Sequence, residues 1–255
     1  MKKIAISAMV MMCILVLGSG AWATLLDRDV IVVGTEAAYP PYQSRDVDGN
    51  PIGFDIDLVH LIADKLGKQV EWRDMAFDAL VPSLITRYID AIAAGFSITP
   101  ERAEHVLFSR PYEASASAFI VQAGSPIGDL DALYGKNVAV QIGTVQETFA
   151  HTLPGVTVMT FLRSTDCAQE VLLGRVDAAL LDVPVAREFV GHREFAGRLE
   201  IAFRQTLAEG GKALAFHLDE TEFVAAVNKV LDEIEASGQL TELRKKWNMD
   251  DDVDM

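Results

Sequence analysis

Cysteine is nearly absent from this chain of 255 residues, which has only Cys13 and Cys167. Cys13 lies in a stretch expected to be removed, so Cys167 stands alone and an intramolecular disulfide is excluded. The core must therefore hold itself by burial, which about 230 residues can do as one large or two smaller domains. Long apolar runs are also missing. Ile4 to Leu17 is too short to cross a bilayer comfortably, and no later segment approaches ~18 uninterrupted apolar residues. Basic charge is scarce, with 22 Lys and Arg against 37 Asp and Glu and a net charge of −15. An acidic chain without a Lys/Arg-rich run makes a poor nucleic-acid binder. The acidity weakly favours cationic ligands, but it is equally a solubility device.

Motifs for metal and nucleotide chemistry are lacking too. His60, His105, His151, His192 and His217 are scattered and form no H-E-x-x-H pair. Gly210-Gly211-Lys212 is followed by Ala213 and lacks the earlier glycine of a P-loop. G-x-S-x-G and G-x-G-x-x-G do not occur. Cys167 has no flanking base and reads as an inert thiol. No metal and no cofactor is expected.

What is present begins with a secretory signal. Lys2 and Lys3 form a basic n-region, Ile4 to Leu17 an apolar h-region, and Ala21-Trp22-Ala23 an A-x-A cleavage site. The expected mature chain starts at Thr24 and is exported. Removing Lys2 and Lys3 leaves 20 basic residues against 37 acidic, a net charge of −17.

Apolar runs of strand length then alternate with helical patterns, as in βαβ units around a mostly parallel sheet. Strands are expected at 30–34, 70–75 and 89–93, with helices at 54–66 and 79–87. The pattern restarts after Gly135, with strands at 138–141, 156–161 and 176–181 and helices at 145–153, 165–173 and 184–190. The tail from about Lys212 adds a strand at 213–216, helices at 222–237 and 241–247, and a solvated acidic end at 250–254. The two halves echo each other. Val33-Gly34-Thr35 matches Ile142-Gly143-Thr144, and Arg87-Tyr88-Ile89-Asp90-Ala91 matches Gly174-Arg175-Val176-Asp177-Ala178. Parallel α/β sheets bind ligands beyond the carboxyl ends of their strands, so two facing domains would trap a ligand between polar strand ends. Crossing segments near 113–117 and 207–211 would form a hinge between lobe 1 (24–114 and 211–255) and lobe 2 (117–208).

Candidate residues sit at those strand ends. In Gly95-Phe96-Ser97-Ile98-Thr99-Pro100-Glu101-Arg102, Thr99 is an expected N-cap and Pro100 the first helical residue. Arg102 then falls where the helix dipole disfavours a cation by a few tenths of a kcal/mol, unless an anion lies between them. It reads either as a carboxylate or phosphate receptor or as a surface arginine paired with Glu101 or Glu104. Asp182 reads as the N-cap of the helix after it, with a free lone pair for an ammonium group. Arg102 and Asp182, one per lobe, would then read the two charged ends of an amino acid, and Thr144 could add its hydroxyl and N–H. Glu36 and Tyr39 project from a loop stiffened by Pro40-Pro41, either as rim residues or as readers of a cationic side chain. Phe77 is either core or the wall of an aromatic sandwich.

Across essentially the whole expected mature chain, these motifs resemble the bacterial periplasmic polar and basic amino-acid-binding proteins of ABC importers (solute-binding protein family 3). The resemblance runs through 33–42, Gly53-Phe54-Asp55-Ile56-Asp57-Leu58, Phe77-Asp78, Ser97 to Arg102, 108–112, Gly143-Thr144, 174–178, Asp182 and Lys246-Trp247. It implies a two-lobed periplasmic-binding-protein-like fold (type II), α/β throughout, closing as a hinged trap. By matching position, Arg102, Thr144 and the Ser97 backbone would hold the α-carboxylate. Asp182 and the Gly95 carbonyl would hold the α-ammonium, and Glu36, Tyr39 and Phe77 would read the side chain. The 36–41 stretch is most similar to arginine-binding members. Ala94, Ser97 and Val145 depart from residues common in the family. The implied function is non-enzymatic capture of a polar, basic L-amino acid, arginine before lysine, ornithine, histidine or glutamine. The implied partner is an inner-membrane permease, with a periplasmic location and a monomeric state. Exported cyclohexadienyl dehydratases share the fold, with Glu36 as the possible acid, and supply the alternative.

Overall fold

The structure, a computed structural model, describes residues 24–207 and 210–249. The expected signal peptide, the acidic end and positions 208–209 of the second crossing segment lie outside the described residues.

Strand β1 (Val30–Thr35) is followed by the short hairpin β2 (Ser44–Arg45) and β3 (Pro51–Ile52), then by helix α1 (Phe54–Leu66). Helix α1 buries Phe54, Leu58, Ile62 and neighbours on one face. It stops at Gly67, whose left-handed φ of 66° lets its N–H return to Ala63 and Asp64. Next come β4 (Gln69–Asp74), a 3-10 turn (Phe77–Ala79), α2 (Leu80–Ile85), β5 (Ala91–Ile92), α3 (Pro100–Ala103) and β6 (Leu107–Phe108). The chain crosses over and forms β7 (Ser117–Gln122), β8 (Asn137–Gln141), α4 (Val145–Ala150), β9 (Thr157–Phe161) and α5 (Ser164–Leu172). It continues through β10 (Ala178–Asp182), α6 (Val183–Gly191) and β11 (Leu199–Gln205), then returns as β12 (Ala215–Phe216), α7 (Thr221–Ala236) and α8 (Gln239–Lys246).

Two five-stranded sheets result, ordered β4-β1-β5-β12-β6 and β11-β7-β10-β8-β9. They are the sheets of the two lobes. The parallel pairings are β1 with β4 and β5, and β8 with β9 and β10. Strands next to the crossovers pair antiparallel, β12 with β5 and β6, and β7 with β10 and β11. The expected parallel arrangement thus holds for three strands per lobe, and the crossing chain adds the antiparallel ones.

The tail packs back on the first lobe. Helix α7 buries Phe223, Val224, Val227, Val230, Leu231 and Ile234, spaced three or four apart on one stripe. Each such side chain contributes about 1.5–3 kcal/mol when taken fully from water. Tyr112 and Asp55 tie that lobe to the turn at Gly95. The Tyr112 hydroxyl donates to Asp55 over 2.8 Å, and the Gly95 N–H donates to the other Asp55 oxygen over 2.6 Å. Gly95 has φ +55°, a region that glycine enters without the Cβ penalty.

Candidate functional site

The carboxyl ends of β1 and β5 in one lobe face those of β8 and β10 in the other. Thr35 at the end of β1 donates to the Ala93 carbonyl over 2.7 Å, fixing the start of the Glu36–Tyr39 loop. Phe77, Ala94, Gly95, Ser97 and Arg102 line one side of the cleft, and Gln141, Thr144, Val145, Gln146 and Asp182 the other. The space between them is about 10 Å³, room for about one water. The two lobes are closed on each other.

Arg102 sits as the sequence predicts. Thr99 is the N-cap, its side chain accepting from the Arg102 N–H over 3.1 Å, and Pro100 opens the helix. The guanidinium lies 4.1 Å from the Phe96 ring centre and 5.5 Å from that of Phe77. It donates to the Ser97 carbonyl (2.8 Å) and, across the cleft, to the Gly143 carbonyl (3.0 Å). No carboxylate among the described residues pairs with it, Glu101 and Glu104 included. Burial pulls its pKa down to about 10, against the attraction of Asp182 and Glu101. A half-buried arginine whose guanidinium donates only to carbonyls keeps its charge available for an anion.

Asp182 corrects one expectation. It occupies the N-cap position of α6, but its side chain makes no cap hydrogen bond. Pro184 removes one of the two N–H groups that a cap could use, and stronger donors surround the carboxylate. Tyr39 Oη donates to Oδ2 over 2.7 Å and Gln146 Nε2 to Oδ1 over 2.9 Å. The third donor is Lys212, whose Nζ lies 2.6 Å from Oδ2 and 3.0 Å from Ser97 Oγ. Lys212 is 1% exposed and Asp182 2%, so this is a buried ion pair across the lobes. The chain's own ammonium thus sits on Oδ2 beside the Tyr39 hydroxyl, and Oδ1, with Gln146 as its one side-chain donor, keeps a lone pair.

Tyr39 is buried, its ring stacked on Tyr42 with centroids 5.8 Å apart. Phe77 proves to be both core and wall, packed on Phe96 and lying along the cleft. The Thr144 hydroxyl donates to the Gln141 carbonyl over 2.7 Å and accepts from the Glu147 N–H. Glu36 is 4% exposed and accepts from Gln141 Nε2 over 2.9 Å, while its Oε1 is buried without a partner. Burial pushes its pKa up to about 7, against the Gln141 hydrogen bond and the charge of Arg163. Behind the cleft, Glu113 on the first crossover accepts from Tyr42 Oη over 2.9 Å, and burial raises its pKa to about 8. Cys167 is buried, which pushes its thiol up and keeps it inert.

Sequence reasoning missed Lys212, Gln146, Gln141 and Glu113. The signal for Lys212 was a single cation heading the apolar run Ala213–Phe216. A lysine there must be paired or sit at a surface, and only the fold shows which.

Two α/β lobes, crossed twice by the chain and closed over an arginine and an aspartate on opposite walls, define a solute receptor of the hinged-trap class. The chain belongs to the bacterial extracellular solute-binding proteins, family 3, whose pattern matches residues 31–250. It is 31% identical to the arginine-binding extracellular protein ArtP of Bacillus subtilis over 97% of this chain and 98% of the relative. It is 33% identical to the lysine/arginine/ornithine-binding periplasmic protein of Escherichia coli, over 86% and 87%. An ancestral arginine-binding protein bound to arginine superposes with a TM-score of 0.82 at 36% identity, covering 86% of this chain and 98% of that one.

Proposed function

We propose that this chain is the exported receptor of an ABC importer. It captures a small solute built on an amino-acid skeleton between its lobes and presents the closed form to a membrane permease. The observation that carries this reading is Arg102, a half-buried guanidinium in the interlobe cleft with no carboxylate partner among the described residues. An α-carboxylate would replace the Gly143 carbonyl on that fork, exchanging a neutral acceptor for a charged one.

The unpaired Glu36 oxygen supports a distal cation on the solute, since a buried carboxylate gains most from a charged donor. Arginine, lysine, ornithine and histidine skeletons share that group, and the named relatives bind arginine or its basic neighbours. The protein acts as a monomer without catalysis, in the periplasm or its extracellular equivalent.

A thermal-shift screen of the common amino acids, ornithine, citrulline and their α-keto counterparts tests this. A solute that binds only the folded state adds several kcal/mol at saturating excess, so a hit stands clear of the rest. A screen without any hit would overturn the reading. Incubation with prephenate or arogenate, followed by ultraviolet absorbance, tests the dehydratase alternative, and aromatic product would establish it.

A further inference from the structure

We infer that Lys212 stands in for the ligand's α-ammonium, so that this cleft selects carboxylates with an α-keto or α-hydroxy oxygen over the matching α-amino acids. The inference rests on the proposed receptor reading and alters only the group at the α-carbon.

The charges in the cleft argue for it. An amino-acid head brings one negative and one positive group, and Arg102 and Asp182 would meet them one to one. Here Asp182 is already met. Its two oxygens accept from Lys212, Tyr39 and Gln146 at 2.6, 2.7 and 2.9 Å. Arg102 is left as a cleft cation with no carboxylate partner among the described residues, so a solute adding only negative charge at this end completes the balance. An incoming α-ammonium would find at Asp182 only a lone pair on Oδ1, a carboxylate already neutralised and a like charge beside it, an arrangement costly in a site screened from water.

Displacing Lys212 is not an easy alternative. Its main chain is fixed on both sides, the N–H donating to the Glu113 carbonyl (2.8 Å) and the carbonyl accepting from the Tyr112 N–H (2.9 Å). Away from Asp182 the ammonium would exchange a carboxylate at 2.6 Å for Glu113, a buried carboxyl pushed up to about 8 and therefore a poorer ion-pair partner near neutral pH. The ammonium has three N–H groups, of which Asp182 and Ser97 use two. The third is a donor for a keto or hydroxy oxygen on the α-carbon, whereas an α-ammonium offers no acceptor to it.

The test is titration calorimetry of the full-length processed protein with matched pairs: arginine and its α-keto analogue, glutamate and its α-keto analogue, phenylalanine and phenylpyruvate. The expected result is that in the pair that binds, the keto acid binds about tenfold or more tightly than the amino acid, a difference of ~1.4 kcal/mol or more. Lys212→Met, which keeps the stem and removes the charge, should reverse that order. Lys212→Thr serves if the methionine variant does not fold, and the wild-type comparison stands without either. A wild-type preference for the amino acid, or a keto-acid preference that survives loss of the Lys212 charge, overturns the inference. If Arg102→Ala still abolishes binding in that case, the receptor reading survives. No binding of any pair member overturns both.

Discussion

Gln141 Nε2 at the end of β8 donates to Glu36 at the end of β1 over 2.9 Å, joining the matching strand ends of the two sheets across the cleft. Under the proposed receptor reading, Glu36 would therefore respond to solute and lobe closure together. Its pKa of about 7 means that near neutral pH the carboxyl is part protonated in the closed form. A distal guanidinium or ammonium on the solute would favour the charged carboxylate. Binding of a cationic-side-chain solute should therefore release protons near pH 7 and tighten from pH 6 to pH 8. Calorimetry in buffers of different ionisation enthalpy checks this, and Glu36→Gln should abolish the proton release.

Removal of the Arg102 guanidinium should abolish solute binding in Arg102→Ala. The unliganded melting temperature should move by only about a degree or two, since loss of two carbonyl contacts is offset by relief of a desolvated charge. Arg102→Lys should bind much more weakly than wild type, because an ammonium cannot offer the planar two-point fork. Calorimetry and thermal denaturation on the same samples read both effects.

Stability should rise as pH falls from about 8 to 6. Burial raises Glu36 to about 7, Asp55 to about 6 and Glu113 to about 8. Between the unfolded and folded values of each group the native state binds more protons, so stability is lost as pH climbs through that window. For Glu113 the window runs from 4.5 to about 8. Glu113→Gln, which can still accept from Tyr42 Oη, should flatten the melting-temperature profile over the upper part of that range. Circular-dichroism melts at three pH values are enough to see it.

Loss of the Asp55 carboxylate should be expensive. It accepts from both Gly95 N–H and Tyr112 Oη, and all three groups are buried. Asp55→Ala strands two donors, at about 1–3 kcal/mol each. The melting temperature should fall by several degrees, with about 2–4 °C for every kcal/mol in a chain of this size. Solute affinity should also fall, through the displaced Gly95 turn.

Gly53 tolerates no side chain. Its φ is +142°, and an added Cβ would lie 2.1 Å from the Tyr42 carbonyl oxygen. Gly53→Ala should yield little soluble protein, while Gly49→Ala, where a Cβ meets nothing within 4 Å, should express normally despite its positive φ. Expression level and melting temperature of the two variants provide the comparison.

Much of the fold was legible because local pattern and local punctuation agree. Helix α1 ends at the predicted residue because its apolar stripe and the αL-compatible Gly67 give the same boundary. Strands β7 and β11 were not legible. Ser117–Gln122 is buried on nearly every residue and pairs antiparallel with β10 some sixty positions later, a partnership without a short-range signature. The site divides the same way. Arg102 was readable from Thr99 and Pro100 beside it, whereas the partners of Asp182 come from positions 39, 146 and 212, which only the folded chain brings together.

Lys212 touches its surroundings by two separate routes. Its main chain bonds to the first crossover at Tyr112 and Glu113, and Gly211 and Ala213 beside it bond to the loop at Ile98 and Phe96. Only its side chain reaches Asp182. Any residue with an N–H could keep these main-chain bonds, so a substitution at 212 would change the charge inside the cleft while leaving the backbone contacts between the crossing segments in place. Under the inference drawn for Lys212, one position would then set the charge that a solute meets, separately from the backbone that carries the lobes.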